Sequence, residues 1–407
     1  MKRALLGFIF KMSKKGRVLV AMSGGVDSSV AAMLLHEEGY EVVGITMKTW
    51  DYASSGGSKK ETGCCSLDSI NDARQLAVKF GFPHYILDLR TEFGDRIIDN
   101  FVEEYMAGRT PNPCVLCNTH IKWDALLRRA DMMDCEFIAT GHYAKVRYEG
   151  IRDREQGIST QPDSLLHTPY SSSEGRYVIS KGLDDWKDQS YVLWGLKQES
   201  LKRTIFPLGG FRKPEIRQLA DERGFNELAK KGESYEICFI PDNDYRSFLK
   251  RRINGLAEKV DNGDYVTADG NVIGKHKGYP FYTIGQRKGL DIALGEPMFV
   301  TDIDVETNKV TLGVKDALQK DSMTVGRYNL IKYDTLPDGI EAHTKIRYKD
   351  PGAKAILYSQ PPAGGEGGGK IKAFFQRKVN AITPGQSAVF YEGDDLLGGG
   401  IIESATA

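Results

Sequence analysis

Two groups of residues in this chain have types and spacing suited to chemistry. The first is Ser23-Gly24-Gly25-Val26-Asp27-Ser28-Ser29, which follows the apolar run Val18–Met22 and precedes a stretch of helical character, Ser28–Glu38. Adjacent glycines let the backbone turn tightly and bring successive N–H groups against an anion. Ser23, Ser28 and Ser29 add hydroxyl donors, and the helix N-terminus adds its positive end. Such a turn cradles phosphate, although it lacks the lysine of a Walker A loop. Asp27 suits either helix capping or a share in holding Mg²⁺. The second group is Asn112-Pro113-Cys114-Val115-Leu116-Cys117-Asn118, followed by His120-Ile121-Lys122-Trp123, with a third cysteine far downstream in Ser234-Tyr235-Glu236-Ile237-Cys238-Phe239-Ile240. A thiolate is a nucleophile and a persulfide carries sulfur, so two cysteines within reach of an activated carbonyl could exchange oxygen for sulfur. A structural turn or half a zinc site is the plainer reading of Cys114 and Cys117, and a small buried hydrophobe the plainer reading of Cys238. No second CxxC and no suitably spaced histidine completes a zinc set.

The elements that must position these groups alternate. Glu41–Thr49, Tyr85–Leu89 and Glu136–Thr140 read as strands, and Leu67–Phe80, Phe93–Met106 and His120–Met133 as helices. That order predicts an α/β fold with a doubly wound parallel sheet, whose ligands bind beyond the carboxyl ends of the strands. Residues 149–176 read as a surface excursion, and Asp184–Arg203 and Pro214–Gly224 as helices. Past about residue 250 the pattern changes to short strands such as Tyr265–Ile273, Met298–Ile303, Lys309–Gly313 and Ile371–Phe375, with 361–370 a loop. A small β-containing module followed by a β-barrel is expected there.

The 407 residues, with 55 basic and 55 acidic side chains and 41% hydrophobic content, suit two or three soluble domains. No apolar run reaches the ~20 residues of a membrane span. The segment MKRALLGFIFKMSKKGR joins basic and apolar residues without a cleavage pattern, and reads as an extension rather than an export signal. Six cysteines are too sparse for a disulfide framework, so a reducing, cytoplasmic setting is expected. Cys64 and Cys65, in a Gly-Cys-Cys-Ser turn, are expected to be structural, and Cys135 to lie in the core.

SGGVDSS matches the PP-loop of the ATP pyrophosphatases, which adenylate an oxygen of the substrate and release pyrophosphate. Across residues 17–402 the chain further resembles the tRNA-specific 2-thiouridylases. The blocks that carry this are AMSGGVDSSV, GITMKTW, RTPNPCVLCNTHIKW, ATGHYAKV, LDDWKDQSYVLW, SYEICFIP, TIGQRKGLDIALGEPMFV and KIRYKD. The resemblance implies an N-terminal extension (1–16), a PP-loop catalytic domain of the adenine nucleotide alpha hydrolase-like kind (17–243), a small central domain (244–305) and a C-terminal β-barrel that contacts tRNA (306–407). It also implies an activity: ATP activates C2 of the wobble uridine of tRNA, and sulfur from a cysteine persulfide replaces the oxygen.

Carried over by motif, Cys117 resembles the nucleophile and Cys238 the persulfide carrier, the two closing a transient disulfide that a cellular reductant reopens. Ala21, Met22, Ser23, Gly24, Gly25, Val26, Asp27, Ser28, Met47 and Gly141 resemble the ATP-binding positions. Asn112, Pro113 and Cys114 would contact the target base, and Lys187, Asp188, Gln189, Arg347 and Tyr348 the tRNA. The sequence departs from the family's best-described form in having Cys114 where that form has an acid/base aspartate. A thiol of near-neutral pKa could do part of that work. Alternatively, Cys114, Cys117 and Cys238 together could hold an iron–sulfur cluster. The implied partners are ATP with Mg²⁺, tRNA, and a cysteine desulfurase or sulfur-relay protein, with no membrane. Basic clusters at Lys345–Lys349, Lys370–Lys378 and Arg287-Lys288 suit phosphate contact, though such runs are equally at home on a solvated face. The remaining alternative is another PP-loop ligase with a nitrogen nucleophile.

Overall fold

The computed structural model describes residues 15–50, 66–150, 175–232, 237–293, 295–361 and 368–406. Cys64 and Cys65, most of the 149–176 excursion, the N-terminal extension up to residue 14 and the centre of the 361–370 loop lie outside them. Among the described residues no helix is long and apolar enough to cross a membrane.

The chain opens with β1 (Arg17–Ala21), β2 (Glu41–Lys48), β3 (His84–Asp88) and β4 (Phe137–Thr140). A hairpin of β5 (Ala144–Glu149) and β6 (Arg176–Lys181) precedes β7 (Thr204–Ile205). Strands β3-β2-β1-β4-β7 form one sheet, parallel at every pairing. Alternation along β1 explains its two covered faces. Val18 and Val20 pack with helix Val26–Glu37, while Leu19 packs with Trp123 and Leu126 on the other side.

Helix Leu67–Phe80 lies as expected, with Ser66 accepting from the Ser69 N–H at its start and Gly81 left-handed (φ 75°) at its end. The helix expected from His120 instead begins at Pro113 and runs to Met132, with a π-helical stretch over Cys117–Trp123. Proline is well suited to a first helical turn, so the cysteine pair is helical rather than a turn. Asp184–Arg203 is not one helix: it holds a 3₁₀ turn at Ser190–Leu193 and a short helix at Gln198–Leu201. The side chains of Asp184 and Asp188 accept from the N–H groups of Trp186 (3.1 Å), Gly182 (3.2 Å) and Ser190 (3.1 Å), capturing donors a helix would need.

The expected strand Tyr265–Ile273 is two, β8 (Gly263–Val266) and β9 (Val272–His276). With β10 (Phe299–Asp304) and β11 (Lys309–Gly313) they form a sheet in the order β10-β11-β8-β9. The division expected at 305/306 falls inside the β10–β11 hairpin. The rest of the chain is β12 (Gln319–Leu330), β13 (Ile340–Lys345), β14 (Ala353–Gln360), β15 (Lys370–Asn380), β16 (Ser387–Glu392) and β17 (Asp395–Thr406). The order β12-β15-β14-β13-β16-β17 closes through a β12–β17 pairing into a six-stranded barrel.

The parts share cores. Ile331, Val389, Tyr391 and Leu396 of the barrel region belong to the cluster of Leu19 and Trp123, and the β5–β6 hairpin pairs with β17 at Ser180 and Asp395. Arg147 of that hairpin reaches the Asp395 carboxylate with both terminal nitrogens, at 2.8 and 2.9 Å.

Candidate active site

The phosphate loop sits at the carboxyl end of β1. The Ser23 N–H donates to Ser28 Oγ at 3.0 Å, the two hydroxyls meet at 3.2 Å, and Ser28 Oγ donates to the Gly25 carbonyl. Two glycines are dictated by close approach. At Gly24 (φ +70°) a Cβ would lie 1.9 Å from the Ser69 carbonyl oxygen, and at Gly141 it would lie 2.7 Å from the Ser28 nitrogen. The loop is therefore wedged between helix Leu67–Phe80 and the end of β4. A glycine-rich turn with its backbone held open at a helix N-terminus fits the phosphates of ATP.

Asp27 is not a cap. Its carboxylate is held by Lys213 Nζ at 2.6 and 2.7 Å and by the Tyr143 hydroxyl at 2.6 Å. The Lys213 side chain is only 8% exposed. Lys231 Nζ donates to the Gly24 carbonyl (2.9 Å) and bonds Asp72 (2.7 Å). The loop that lacks a lysine in sequence thus receives two from more than 180 residues away. Nothing in the local pattern around Lys213 or Lys231 announces this.

Cys114 and Cys117 are one helical turn apart and so share a face of the helix. Cys117 is buried in an apolar cluster with Trp50, Phe93, Phe101, Ile121, Phe239 and Ile240, and Cys238, Met47 and Leu116 pack against the same cluster. The fold therefore brings together Cys117, Cys238 and Met47 from three distant segments. Phe239 anchors the Cys238 segment, edge-on to Phe93 (5.7 Å) and Phe101 (5.3 Å). The Cys114 side chain is exposed, yet the protein mass around it pushes its thiol up from the usual range, and Lys122 only partly offsets it. His142, bonded to Thr140 Oγ1 at 2.7 Å, is pushed well below the usual histidine range, first by burial and then by Lys122, and is neutral at physiological pH.

Asn112 reaches the Tyr191 hydroxyl, whose own proton goes to the Ser387 carbonyl at 2.8 Å. Tyr348 donates to the Asp188 carbonyl (3.1 Å) and stands edge-on to Tyr191 at 5.8 Å. Its hydroxyl is pushed up to about 12, by burial first and then by Asp188 and Cys114. Asn112, Cys114, Asp188 and Tyr348 thus meet at one edge, and Arg347, exposed beside them, acts on Tyr191. The side chains of Asp188 and Gln189 are turned inward. Asp188 accepts from Gly182 and Ser190, and burial raises its carboxyl against those bonds. Gln189 accepts from the Tyr143 N–H at 3.1 Å. The Lys187 N–H bonds the Asp184 carbonyl at 3.0 Å. Cys135 is in the core as expected, its thiol raised to about 11 by burial. Among the described residues no three His, Cys, Asp or Glu side chains gather where they could hold a metal.

Family models match in the same three parts: a tRNA methyl transferase HUP domain over residues 16–242, a tRNA methyl transferase PRC-barrel domain over 246–314 and an aminomethyltransferase β-barrel domain over 320–402. A protein of Amoebophilus asiaticus named tRNA-specific 2-thiouridylase MnmA is 60% identical over 393 residues, 96% of each chain. The chain belongs to the tRNA-specific 2-thiouridylase family. Relatives of the same name from Cytophaga hutchinsonii (59% identical, covering 97% of this chain and 99% of that one) and Salinibacter ruber (58%, covering 96% and 95%) agree. In this member of the 2-thiouridylase family, Lys213 and Tyr143 contact Asp27, Lys231 contacts Gly24 and Tyr191 contacts Asn112, each a candidate site residue.

Proposed function

We propose that the protein is an ATP-dependent tRNA sulfurtransferase that forms 2-thiouridine at the wobble position. The observation that carries this is the convergence of Cys117 and Cys238 on one apolar cluster, beside strands whose carboxyl ends carry the phosphate loop. ATP, arriving with Mg²⁺, adenylates O2 of the uridine and releases pyrophosphate. The persulfide sulfur on Cys238, loaded by a cysteine desulfurase or relay protein, attacks C2, and AMP leaves with the oxygen. The Cys117 thiolate then attacks Sγ of Cys238. Its electron pair forms the Cys117–Cys238 disulfide, and the released pair stays on the sulfur bound to C2. A cellular dithiol returns both cysteines to the reduced form. The apolar surroundings keep water from the adenylated carbon. In this reading Arg347, Tyr348 and Lys187 contact the tRNA, and Asn112 and Cys114 contact the target base; the exposure of Arg347 at the edge that holds Tyr348 supports it.

The test is incubation with unmodified tRNA, ATP, cysteine and a cysteine desulfurase. Thiolated tRNA, retarded on a mercury-containing gel, should form together with AMP and pyrophosphate. Pyrophosphate release without retardation would point instead to another adenylating ligase.

A further inference from the structure

Trp186 differs from the other tryptophans of the chain. It is 94% exposed, whereas Trp50, Trp123 and Trp194 are 3%, 0% and 6% exposed. An indole is the largest apolar side chain, and leaving it in water forgoes the burial that the other three obtain. The loop that holds it out is firmly pinned. Asp184 accepts from the Trp186 N–H (3.1 Å) with one oxygen and from the Lys213 N–H (2.9 Å) with the other, and Leu183 N–H bonds the Gly209 carbonyl at 2.9 Å.

The charges around the ring divide by burial. Asp184 and Asp188 are buried and hydrogen-bonded, so Asp185 is the loop carboxylate that faces solvent. On the neighbouring barrel edge stand Lys345, which acts on Asp188, the exposed Arg347, and Tyr348, bonded to the Asp188 carbonyl at 3.1 Å and coupled to Cys114. The loop that presents the ring runs directly into Asp188, the residue that Lys345 and Tyr348 meet from the barrel side. A protein-docking face would need a broad contiguous apolar patch. Trp186 is instead flanked in the chain by the charged Asp185 and Lys187, with Leu183 the nearest exposed large apolar residue along the loop. A single exposed flat ring, with Lys187 next to it in the chain, matches the flat face of a nucleobase and its phosphate.

We propose that Trp186 is a stacking platform for an unpaired base of the tRNA, next to the base that reacts. The proposal rests on tRNA being the substrate. It assigns Trp186 to binding, not to the chemical step.

The test uses tryptophan emission and thiolation kinetics on the full-length protein. Because the other three tryptophans are buried, tRNA should quench the emission of the wild type. Trp186→Phe should abolish most of that quenching while still binding tRNA in a filter assay. Trp186→Ala should raise KM for tRNA about tenfold, the effect of losing one base stack, with kcat changed less than about twofold. Trp186→Phe should fall between the two. Quenching that persists in Trp186→Phe, or an unchanged KM in a folded Trp186→Ala, would overturn the platform. Absence of thiolation by the wild type would overturn the functional reading instead, and quenching by tRNA would still report on Trp186 alone.

Discussion

Gln386 holds, from the barrel side, the segment that leads into Asn112, the proposed contact to the target base, and its replacement should slow the chemistry more than it weakens binding. Its Nε2 donates to the carbonyls of Thr110 (3.2 Å) and Pro111 (3.1 Å), the two residues before Asn112, and the Thr110 N–H bonds the Pro384 carbonyl at 2.9 Å. Gln386→Leu leaves an apolar side chain one atom shorter and removes both donors. At about 1 kcal/mol net for each hydrogen bond, about 2 kcal/mol of positioning is lost. The backbone bonds of the turn, Gln386 N–H to Thr383 and Ile402 N–H to the Gln386 carbonyl, do not depend on the side chain. If the clamp sets Asn112-Pro113-Cys114 against the uridine, that loss appears as a fall of about 10- to 30-fold in the single-turnover rate at saturating ATP and tRNA. Binding of tRNA should change less than about threefold, since the Arg347 edge is untouched. Gln386→Asn should not rescue, being one methylene too short to reach both carbonyls. A Gln386→Leu protein with a lower Tm but a wild-type single-turnover rate would show the clamp to be purely structural.

Other expectations follow from the same geometry. Lys213→Met should lower tRNA-dependent pyrophosphate release about 10- to 100-fold, because the Asp27 carboxylate would then face the ATP phosphates without its cation; an unchanged rate of release would remove Lys213 from the site. Cys114→Asp should retain thiolation within about tenfold of wild type, since a carboxyl can serve as acid/base there and the persulfide route needs no cluster ligand at that position. A complete loss in a folded Cys114→Asp protein would contradict this. The Asp395 carboxyl is lowered to about 2. Burial alone would raise it, but hydrogen bonds from Arg147, Lys332 and Ser180 overcome that. Because its folded pKa lies below the unfolded value of 3.8, its stabilisation is fully present above about pH 4 and is lost as pH falls through about 2. Asp395→Asn should therefore cost about 2 kcal/mol in chemical denaturation at pH 7 and progressively less in acid. A pH-independent difference would contradict the assignment.

The α/β domain was legible because β1 and the glycine loop are contiguous, and because Leu67–Phe80 carries its own capping signals. The barrel was legible as a class but not in its closure, since the β12–β17 pairing joins strands about 70 residues apart. The hairpin β5–β6 was hidden because half its support is Asp395, near the far end of the chain. Asp184–Arg203 misled because its apolar spacing suits a helix, whereas two aspartates bind the backbone locally. At the site, SGGVDSS and the cysteines announced themselves by local chemistry. Lys213, Lys231 and Gln386 did not, because each acts on backbone or a carboxylate brought near only by folding. The pairing of Cys117 with Cys238 was implied by resemblance, and their common apolar cluster supports it physically.

The most direct test of the central claim is a single turnover without added reductant. Protein preloaded with persulfide sulfur is mixed with ATP and unmodified tRNA, quenched in acid with alkylating agent, and digested for mass spectrometry. One Cys117–Cys238 disulfide should appear for each 2-thiouridine formed, with no thiolation by Cys238→Ser although pyrophosphate is still released. Thiolation by Cys238→Ser, or 2-thiouridine formed while Cys117 and Cys238 are both recovered alkylated, would contradict it.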